Sequence, residues 1–358
     1  MKILIDKYIP YIQGALDSVA DVTYLAYNEF TPETVRDADA LIVRTRTKCN
    51  RALLEGSCVK FIASATIGYD HIDGKFCDEN GIKWTNAPGC NALSVAQYVA
   101  SALCFLSKKN GFDLVGKTIG IVGVGAVGSK IEKLAKSFGM RVLLNDPPRA
   151  RREGNVNFVS LKEVTEQADI ITFHPLLNLK GDDKTYHLGN EHFFNSLKNK
   201  PMIINASRGE ILDTRVLLSA IKKGQVGDVV LDCWENEPEI SRELLEKCVL
   251  ATPHIAGYSA DGKANAATQS VHSVCRFFGL GLENWEVAEI PTIPCVSAGN
   301  TCDFFLKTYD IEKDSENLKK SPETFELQRS HYPFRREPEA YLKCLPMGFL
   351  EKFPLFFE

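Results

Sequence analysis

Arg208, Glu237 and His254 carry the side chains that interconversion of an alcohol and a ketone beside a carboxylate would need. A histidine, with an ordinary pKa near ~6.5, suits removal of a hydroxyl proton at neutral pH. A neighbouring carboxylate would orient the ring and stabilise its protonated form. A guanidinium offers a fork for a substrate carboxylate and a positive charge for the adjacent carbonyl. Each residue has a bland alternative: Arg208 and Glu237 as a surface ion pair, His254 as a structural histidine. Their placement favours chemistry. Arg208 follows Ile203-Ile204-Asn205-Ala206-Ser207, Glu237 follows Leu231-Asp232-Cys233-Trp234-Glu235-Asn236, and His254 lies in Thr252-Pro253-His254-Ile255-Ala256-Gly257. All three are read at strand ends, and the ends of parallel strands are where doubly wound sheets put their ligands.

Lys117 to Asp146 says what stands beside them. Ile119-Gly120-Ile121-Val122 reads as a buried strand, running into a loop with Gly123, Gly125 and Gly128. A helix from Ser129 to Phe138 follows, with Ile131, Leu134, Ala135 and Phe138 on one face, and then a second strand, Arg141 to Asn145. This is the context a dinucleotide fingerprint requires. Gly123 would make the tight turn, Gly125 would let backbone approach a pyrophosphate, and Gly128 would let helix pack on strand; Ala126 and Val127 complete the loop. The helix start supplies unpaired N–H groups for the phosphates. Asp146, 18 residues beyond Gly128, can accept both hydroxyls of an adenosine ribose and would repel a 2′-phosphate. Arg149, Arg151 and Arg152 could instead stabilise that phosphate. Asp146 is expected to prevail, because the arginines follow what reads as a Pro147-Pro148 turn.

The elements that position these residues are those of an α/β protein. Residues 1 to about 90 show short apolar runs at Ile3–Ile5, Val22–Leu25, Ala40–Val43, Phe61–Ala63 and Ile82–Trp84, alternating with turn or helical segments. Thr31-Pro32-Glu33 is a helix start. Ser94 to Leu106 reads as a long helix crossing between domains. Beyond Asp146, Phe158-Val159, Ile170–Phe173, Met202–Asn205 and Val229–Leu231 are expected strands, and Gly257 to Gly281 is mostly helical. Ile290-Pro291 and Ile293-Pro294 punctuate the chain, and the tail beyond Asn300 shows no glycine loop and no obvious site.

A chain of 358 residues has room for two or three domains. With 44% hydrophobic and 25% charged residues and a net charge of −4, composition is that of a globular protein and gives no reason to expect a nucleic-acid partner. The most apolar window, Ala92 to Leu106, is too short and too polar to span a bilayer. Met1-Lys2-Ile3-Leu4-Ile5-Asp6 begins a strand with no apolar leader, so a cytoplasmic protein is expected. The 11 cysteines are irregularly spaced and read as reduced, buried thiols rather than a disulfide framework. No histidine stands in HxxxH or HExxH spacing, so no metal site is expected. His174, at a strand end, lines the cofactor crevice or makes a strand-end hydrogen bond. Arg44, Arg46 and Lys48, past Ala40–Val43, form a cationic cluster that either holds a phosphate or is simply solvated; alternation along an extended chain puts Arg46 on the same face as Arg44 and nearer the crevice. Ile67-Gly68 offers N–H groups to a carboxylate.

Gly123-Val-Gly-Ala-Val-Gly128, Asn205-Ala-Ser-Arg-Gly209, Asp232-Cys-Trp-Glu-Asn-Glu-Pro238 and Pro253-His-Ile-Ala-Gly257 together resemble the D-2-hydroxyacid dehydrogenase family, over about residues 1–285. The resemblance implies a Rossmann-type doubly wound NAD-binding domain at 93–257. It also implies a flavodoxin-like, discontinuous substrate domain at 1–92 plus 258–285, and a small C-terminal dimerisation domain at 286–358 that makes a homodimer. It implies Arg208 as carboxylate-binding residue, His254 as acid/base and Glu237 as its partner. Asp146, Ala206, Ser207, Arg208, Asp232 and Gly257 would contact NAD. Thr45, Thr66 and Tyr258 would contact substrate, with Arg44 and Arg46 as candidates for a phosphate. Arg44-Thr-Arg-Thr-Lys48, His254-Ile-Ala-Gly-Tyr258 and the tail segment Phe325 to Arg336 point within the family to a substrate phosphorylated at C4 and oxidised at C2. The rivals are family members acting on 3-phosphoglycerate or glyoxylate/hydroxypyruvate, and a non-catalytic NAD-sensing regulator. One departure is visible: where the family often has His-Thr-Pro-Leu, this chain has His174-Pro175-Leu176-Leu177. Pro175 has neither hydroxyl nor N–H to offer a cofactor.

Overall fold

Runs of Ile, Val, Leu and Ala with no alternation of polar residues belong to strands buried on both faces, and here they build two parallel sheets. A computed structural model describes residues 1–344; the last part of the expected dimerisation segment lies outside the described residues. Contacts divide the chain into two units, residues 1–91 with 259–292, and residues 92–258 with those from 293 onward.

The first unit holds β1 (Lys2–Asp6), β2 (Asp21–Leu25), β3 (Ala40–Val43), β4 (Phe61–Ser64) and β5 (Lys83–Thr85), in the order β2-β1-β3-β4-β5. This is the flavodoxin-like order. Every pairing is parallel. The helix Ala260–Phe278 packs Ala266, Ala267, Val271, Val274 and Cys275 into a core with Ile3, Ile5, Ala40, Ile42 and Ala63. Ser259 caps its start through Gly262 N, and Gly279, at φ 67°, ends it in the left-handed region that glycine adopts without strain. Thr31 caps a helix as expected, though one of only four residues, Pro32–Val35.

The second unit holds β6 (Thr118–Val122), β7 (Arg141–Asn145), β8 (Ile170–Phe173), β9 (Met202–Asn205), β10 (Val229–Leu231) and β11 (Leu250–Ala251), in the order β11-β10-β9-β8-β6-β7, all parallel. The order reverses between β6 and β8, the switch point at which such sheets bind ligands. Phe158-Val159 is not a strand. Val159 N donates to Leu144 O and Val159 O accepts from the Asn145 side chain, so the segment follows the β7 edge for too short a length to form a ladder. The helix Ala92–Asn110 is buried on nearly all sides over its first three turns. It packs with Phe304, Phe305 and Tyr309 of the tail into one core, so the first part of the tail is continuous with the nucleotide-binding unit. Among the described residues no helix is long and apolar enough to cross a membrane.

Candidate active site

Gly123 has φ 86°, and a Cβ there would collide with the His174–Pro175 backbone; a Cβ at Gly128 would collide with Gly123 O. Both glycines are therefore required by the chain's own packing. Gly125 differs: its backbone is extended and a Cβ would meet no protein atom. That bareness is the room a pyrophosphate would need against the start of the helix Ala126–Ser137. Asp146 is held in place by its neighbours, Oδ2 accepting from Val124 N at 2.8 Å and Oδ1 from Arg149 N at 2.9 Å. It caps a helix, Pro147–Glu153, where the sequence suggested a turn. Arg149, on that helix, is occupied by Glu153, Val124 O and Ser129. Arg151 pairs with Asp183 and Arg152 with Glu153.

His174 donates its backbone N–H to Val122 O, and its Nε2 lies 2.7 Å from Thr172 Oγ1. Burial drives its pKa down to about 3, so the ring is neutral; Nδ1 is buried and makes no hydrogen bond. Pro175, the departure from the family pattern, is the residue whose backbone Gly123 leaves room for.

Past β9, Asn205 pins the next loop: its Oδ1 accepts from Ser207 N and Oγ, and its Nδ2 donates to Arg208 O. Ala206 is partly buried within that loop, and Arg208 Nη1 donates to Ser207 O at 2.8 Å. Gly209 is a glycine because the Trp234–Glu235 backbone crosses where its Cβ would be. That contact locks the Arg208 loop to the one carrying Glu237. Cys233 reinforces the link, its thiol donating to Ser207 O at 3.3 Å.

The imidazole of His254 meets the carboxylate of Glu237: Nδ1 is 2.8 Å from Oε2 and 3.1 Å from Oε1. Glu237 also accepts from Trp234 N. Burial works to raise the Glu237 pKa, but the His254 charge, these hydrogen bonds and the charge of Arg329 outweigh it and hold the carboxyl below its ordinary value. His254 has φ 55°, in the left-handed region. Asp232, 1% exposed, is directed at the backbone of this loop. Its O accepts from His254 N, Oδ1 from Ile255 N and Thr252 Oγ1, and Oδ2 from Ala256 N. Asp232, expected to contact NAD, thus holds the His254 loop with both carboxylate oxygens. Gly257 follows directly. Tyr258 N donates to Ile255 O, and its ring lies 5.9 Å from that of Tyr332.

The sequence marks no obvious site in the tail beyond Arg335 and Arg336 as reserve candidates for the phosphate. The structure brings two of its arginines here: Arg329, whose charge acts on Glu237 and Tyr258, and Arg335, which bonds the His254 loop. Cys233 Sγ, a Glu237 oxygen and a His254 nitrogen lie within 4.8 Å of one another and could ligate a metal. Glu237 and His254 are already bonded to each other, and Arg208 and Arg329 put positive charge on the same spot. The ion pair, not a cation, is the arrangement the surroundings favour.

In the first unit, Thr45 and Arg46 are exposed, and Thr47 N donates to Arg44 O, so this segment is a turn where alternation along an extended chain was expected. Arg44 Nε bonds the buried carboxylate of Asp6 at 3.1 Å. Arg46 lies over Tyr27, 5.5 Å from the ring centre. Thr66 Oγ1 is 2.7 Å from Ser64 Oγ and donates to Gly68 O, and Ser64 Oγ lies 3.0 Å from His71 Nε2. Among the described residues nine cysteines are free, and seven of them, Cys49, Cys77, Cys90, Cys104, Cys233, Cys248 and Cys275, are buried. Cys295 departs from the expectation of reduced thiols and is disulfide-bonded.

The NAD-binding domain of D-isomer specific 2-hydroxyacid dehydrogenases matches residues 96–256, and relatives of that family match nearly end to end. The chain belongs to this family, and it is an NAD-dependent dehydrogenase. Among its relatives is the erythronate-4-phosphate dehydrogenase of Bacteroides thetaiotaomicron, 54% identical, the match covering 95% of this chain and 98% of that protein. The protein of the same name from Escherichia coli is 40% identical, with 96% and 94% covered. Of solved structures, the NAD-bound 3-phosphoglycerate dehydrogenase of Entamoeba histolytica superposes with a TM-score of 0.65 at 26% identity, covering 81% of this chain and 99% of that one.

Proposed function

We propose that this protein oxidises 4-phospho-D-erythronate at C2 to (R)-3-hydroxy-2-oxo-4-phosphooxybutanoate, a step toward pyridoxal 5′-phosphate. The bond between His254 Nδ1 and Glu237 carries the reading, and the near full-length likeness to erythronate-4-phosphate dehydrogenases supports the substrate. Bound NAD would take the hydride from C2. The chain does the rest. His254, its Nδ1 occupied by Glu237, leaves Nε2 to accept the C2 hydroxyl proton, and Glu237 stabilises the imidazolium that results. Arg208 is assigned to the substrate carboxylate and to polarising the carbonyl that forms. Gly123, Gly125, Ala126, Val127, Gly128, Asp146, Ala206, Ser207, Arg208, Asp232 and Gly257 are assigned to NAD, and Thr45, Thr66, Tyr258, Arg44 and Arg46 to substrate. We assign the tail from residue 286 to a homodimer; the exposed apolar side chains of Leu327 and Phe334 support this. A cytoplasmic setting fits the many buried free thiols.

The test is NADH formation with a panel of 4-phosphoerythronate, erythronate, 3-phosphoglycerate and glycolate. Highest kcat/KM with 4-phosphoerythronate is expected. Preference for 3-phosphoglycerate would move the assignment to that branch of the family, and no turnover of any member would leave a cofactor-sensing protein. A monomer by light scattering would refute the homodimer.

A further inference from the structure

His254 sits on a backbone that needs restraint. A left-handed conformation in a residue with a Cβ, φ 55° here, is strained and persists only where surroundings over-determine it. From one side the restraint is Asp232, which accepts from Ile255 N at 2.8 Å and Ala256 N at 2.9 Å. A carboxylate can hold N–H groups but not the carbonyls of the same two residues. Those point at a guanidinium. Arg335 Nη2 donates to Ala256 O at 2.6 Å and to Ile255 O at 3.3 Å, and it also donates to Ser94 Oγ, which in turn donates to Ala256 O at 2.8 Å.

We propose that Arg335 is a positioning residue for proton transfer: with Ser94 it fixes the carbonyl side of the loop whose N–H side Asp232 fixes, and so aims the His254 ring. The inference rests on the assignment of His254 as the proton acceptor. Arg335 is placed for this role at evident cost. It is 7% exposed, and its Nε and Nη1 are buried without a hydrogen-bond partner. Its guanidinium lies 4.3 Å from the Tyr309 ring centre and 5.6 Å from that of Tyr332. A cation with two donors unmet is a poor way to glue a tail to a domain, since an apolar side chain of that size would serve better. What an apolar side chain cannot do is donate to two successive carbonyls. Arg335 also lines a cavity of about 380 Å³ with Tyr332, Asp314 and Pro253, so a small cation can reach its place.

The experiment uses the full-length protein with Arg335→Lys, Arg335→Ala and Ser94→Ala, and His254→Ala in parallel. Expected are a kcat reduced at least tenfold in both Arg335 variants and less in Ser94→Ala, with KM for NAD within twofold of wild type. Hydrogen exchange should speed up at least tenfold in peptides over residues 252–258 and stay unchanged over 118–130. Guanidinium or methylguanidinium ion at millimolar concentration should restore part of the kcat of Arg335→Ala and none of His254→Ala. If Arg335→Ala does not fold, Arg335→Lys and Ser94→Ala decide by the same measures. Unchanged exchange over 252–258, or kcat within twofold of wild type in Arg335→Lys while His254→Ala is inactive, overturns the proposal alone. Full activity of His254→Ala overturns the reading of the site on which it rests.

Discussion

His254 presents Nδ1, not Nε2, to Glu237, with one carboxylate oxygen at 2.8 Å and the other at 3.1 Å. Glu237 Oε1 is shared with Trp234 N at 2.9 Å, so the carboxylate cannot turn away from the ring without breaking a backbone bond. The pair thereby engages Nδ1 and fixes the plane of the ring.

The direct consequence is kinetic. His254→Ala should lower kcat for oxidation by at least ~10²-fold, the contribution of a positioned general base. Glu237→Gln keeps the shape but removes the charge that favours the imidazolium. Oxidation needs the neutral ring, so without that charge the acidic limb of kcat/KM should move to lower pH, with kcat reduced. A limb that stays in place, or moves to higher pH, would show that Glu237 does not act on His254 in turnover.

We assign cofactor choice to Asp146. A 2′-phosphate would meet a carboxylate fixed by Val124 N and Arg149 N, while the Arg149 guanidinium is already taken by Glu153 and Val124 O. NAD should be preferred over NADP by at least about 100-fold in kcat/KM, the scale of the ~3 kcal/mol that a charge-assisted hydrogen bond is worth. Asp146→Asn, which keeps the helix cap, should narrow the ratio mainly by weakening NAD. Equal kcat/KM for the two cofactors in the unaltered protein would refute the role.

What could be read from the sequence was local. The glycine loop, the strand that feeds it and Asp146 lie within thirty residues, and their spacing is the signal. Arg208, Glu237 and His254 were legible because each follows a buried apolar run that marks a strand end. Arg335 was not, because its partners Ile255 and Ser94 are 80 and 241 residues away, and nothing in a tail of mixed charge and aromatics marks which arginine turns inward. The turn at Arg44 was missed for another reason: Arg-Thr-Arg-Thr holds no glycine, proline, asparagine or aspartate, the residues that announce turns. The bond from Thr47 N to Arg44 O closes it all the same.

His71 gives a prediction about stability. It is 8% exposed, and burial lowers its pKa to about 4. In the unfolded chain the value is near ~6.5. Between these pH values the unfolded state binds a proton that the folded state refuses, so stability falls as pH drops from about 6.5 toward 4. At pH 5 the loss is about 2 kcal/mol, from ~1.4 kcal/mol per pH unit. Replacing His71 with Gln, which does not titrate, should remove that share of the decline. Thermal unfolding at pH 7 and pH 5 tests it: parallel declines in wild type and His71→Gln would mean that His71 is protonated in the folded protein.

Phosphate recognition would separate the proposed activity from that of family members whose substrates carry no phosphate. Both ends of 4-phosphoerythronate are anionic, and each calls for a cation. If Arg208 holds the carboxylate, its removal should damage turnover of every 2-hydroxy acid, phosphorylated or not. Arg44 and Arg46 are the candidates for the phosphate, and the structure sets them apart. Arg44 is bound through Nε to Asp6, whose carboxylate is fully buried. Arg44→Ala would strand that charge and destabilise the domain, by an amount toward the lower end of the ~3–5 kcal/mol typical of a broken buried pair, because Arg44 is itself 32% exposed. A loss of activity there reports on folding as much as on recognition. Arg46 is exposed and stands over Tyr27, so its replacement opens no hole in a core. Arg46→Ala should therefore keep the wild-type melting temperature and raise KM for 4-phosphoerythronate by about 10- to 100-fold, the equivalent of ~1.5–3 kcal/mol for a charge-assisted bond. Turnover of erythronate should be unaltered. Should Arg46→Ala and Arg44→Lys both retain the preference for the phosphorylated acid, the phosphate is held elsewhere. Arg336, beside Arg335 on the tail, is then the next residue to replace.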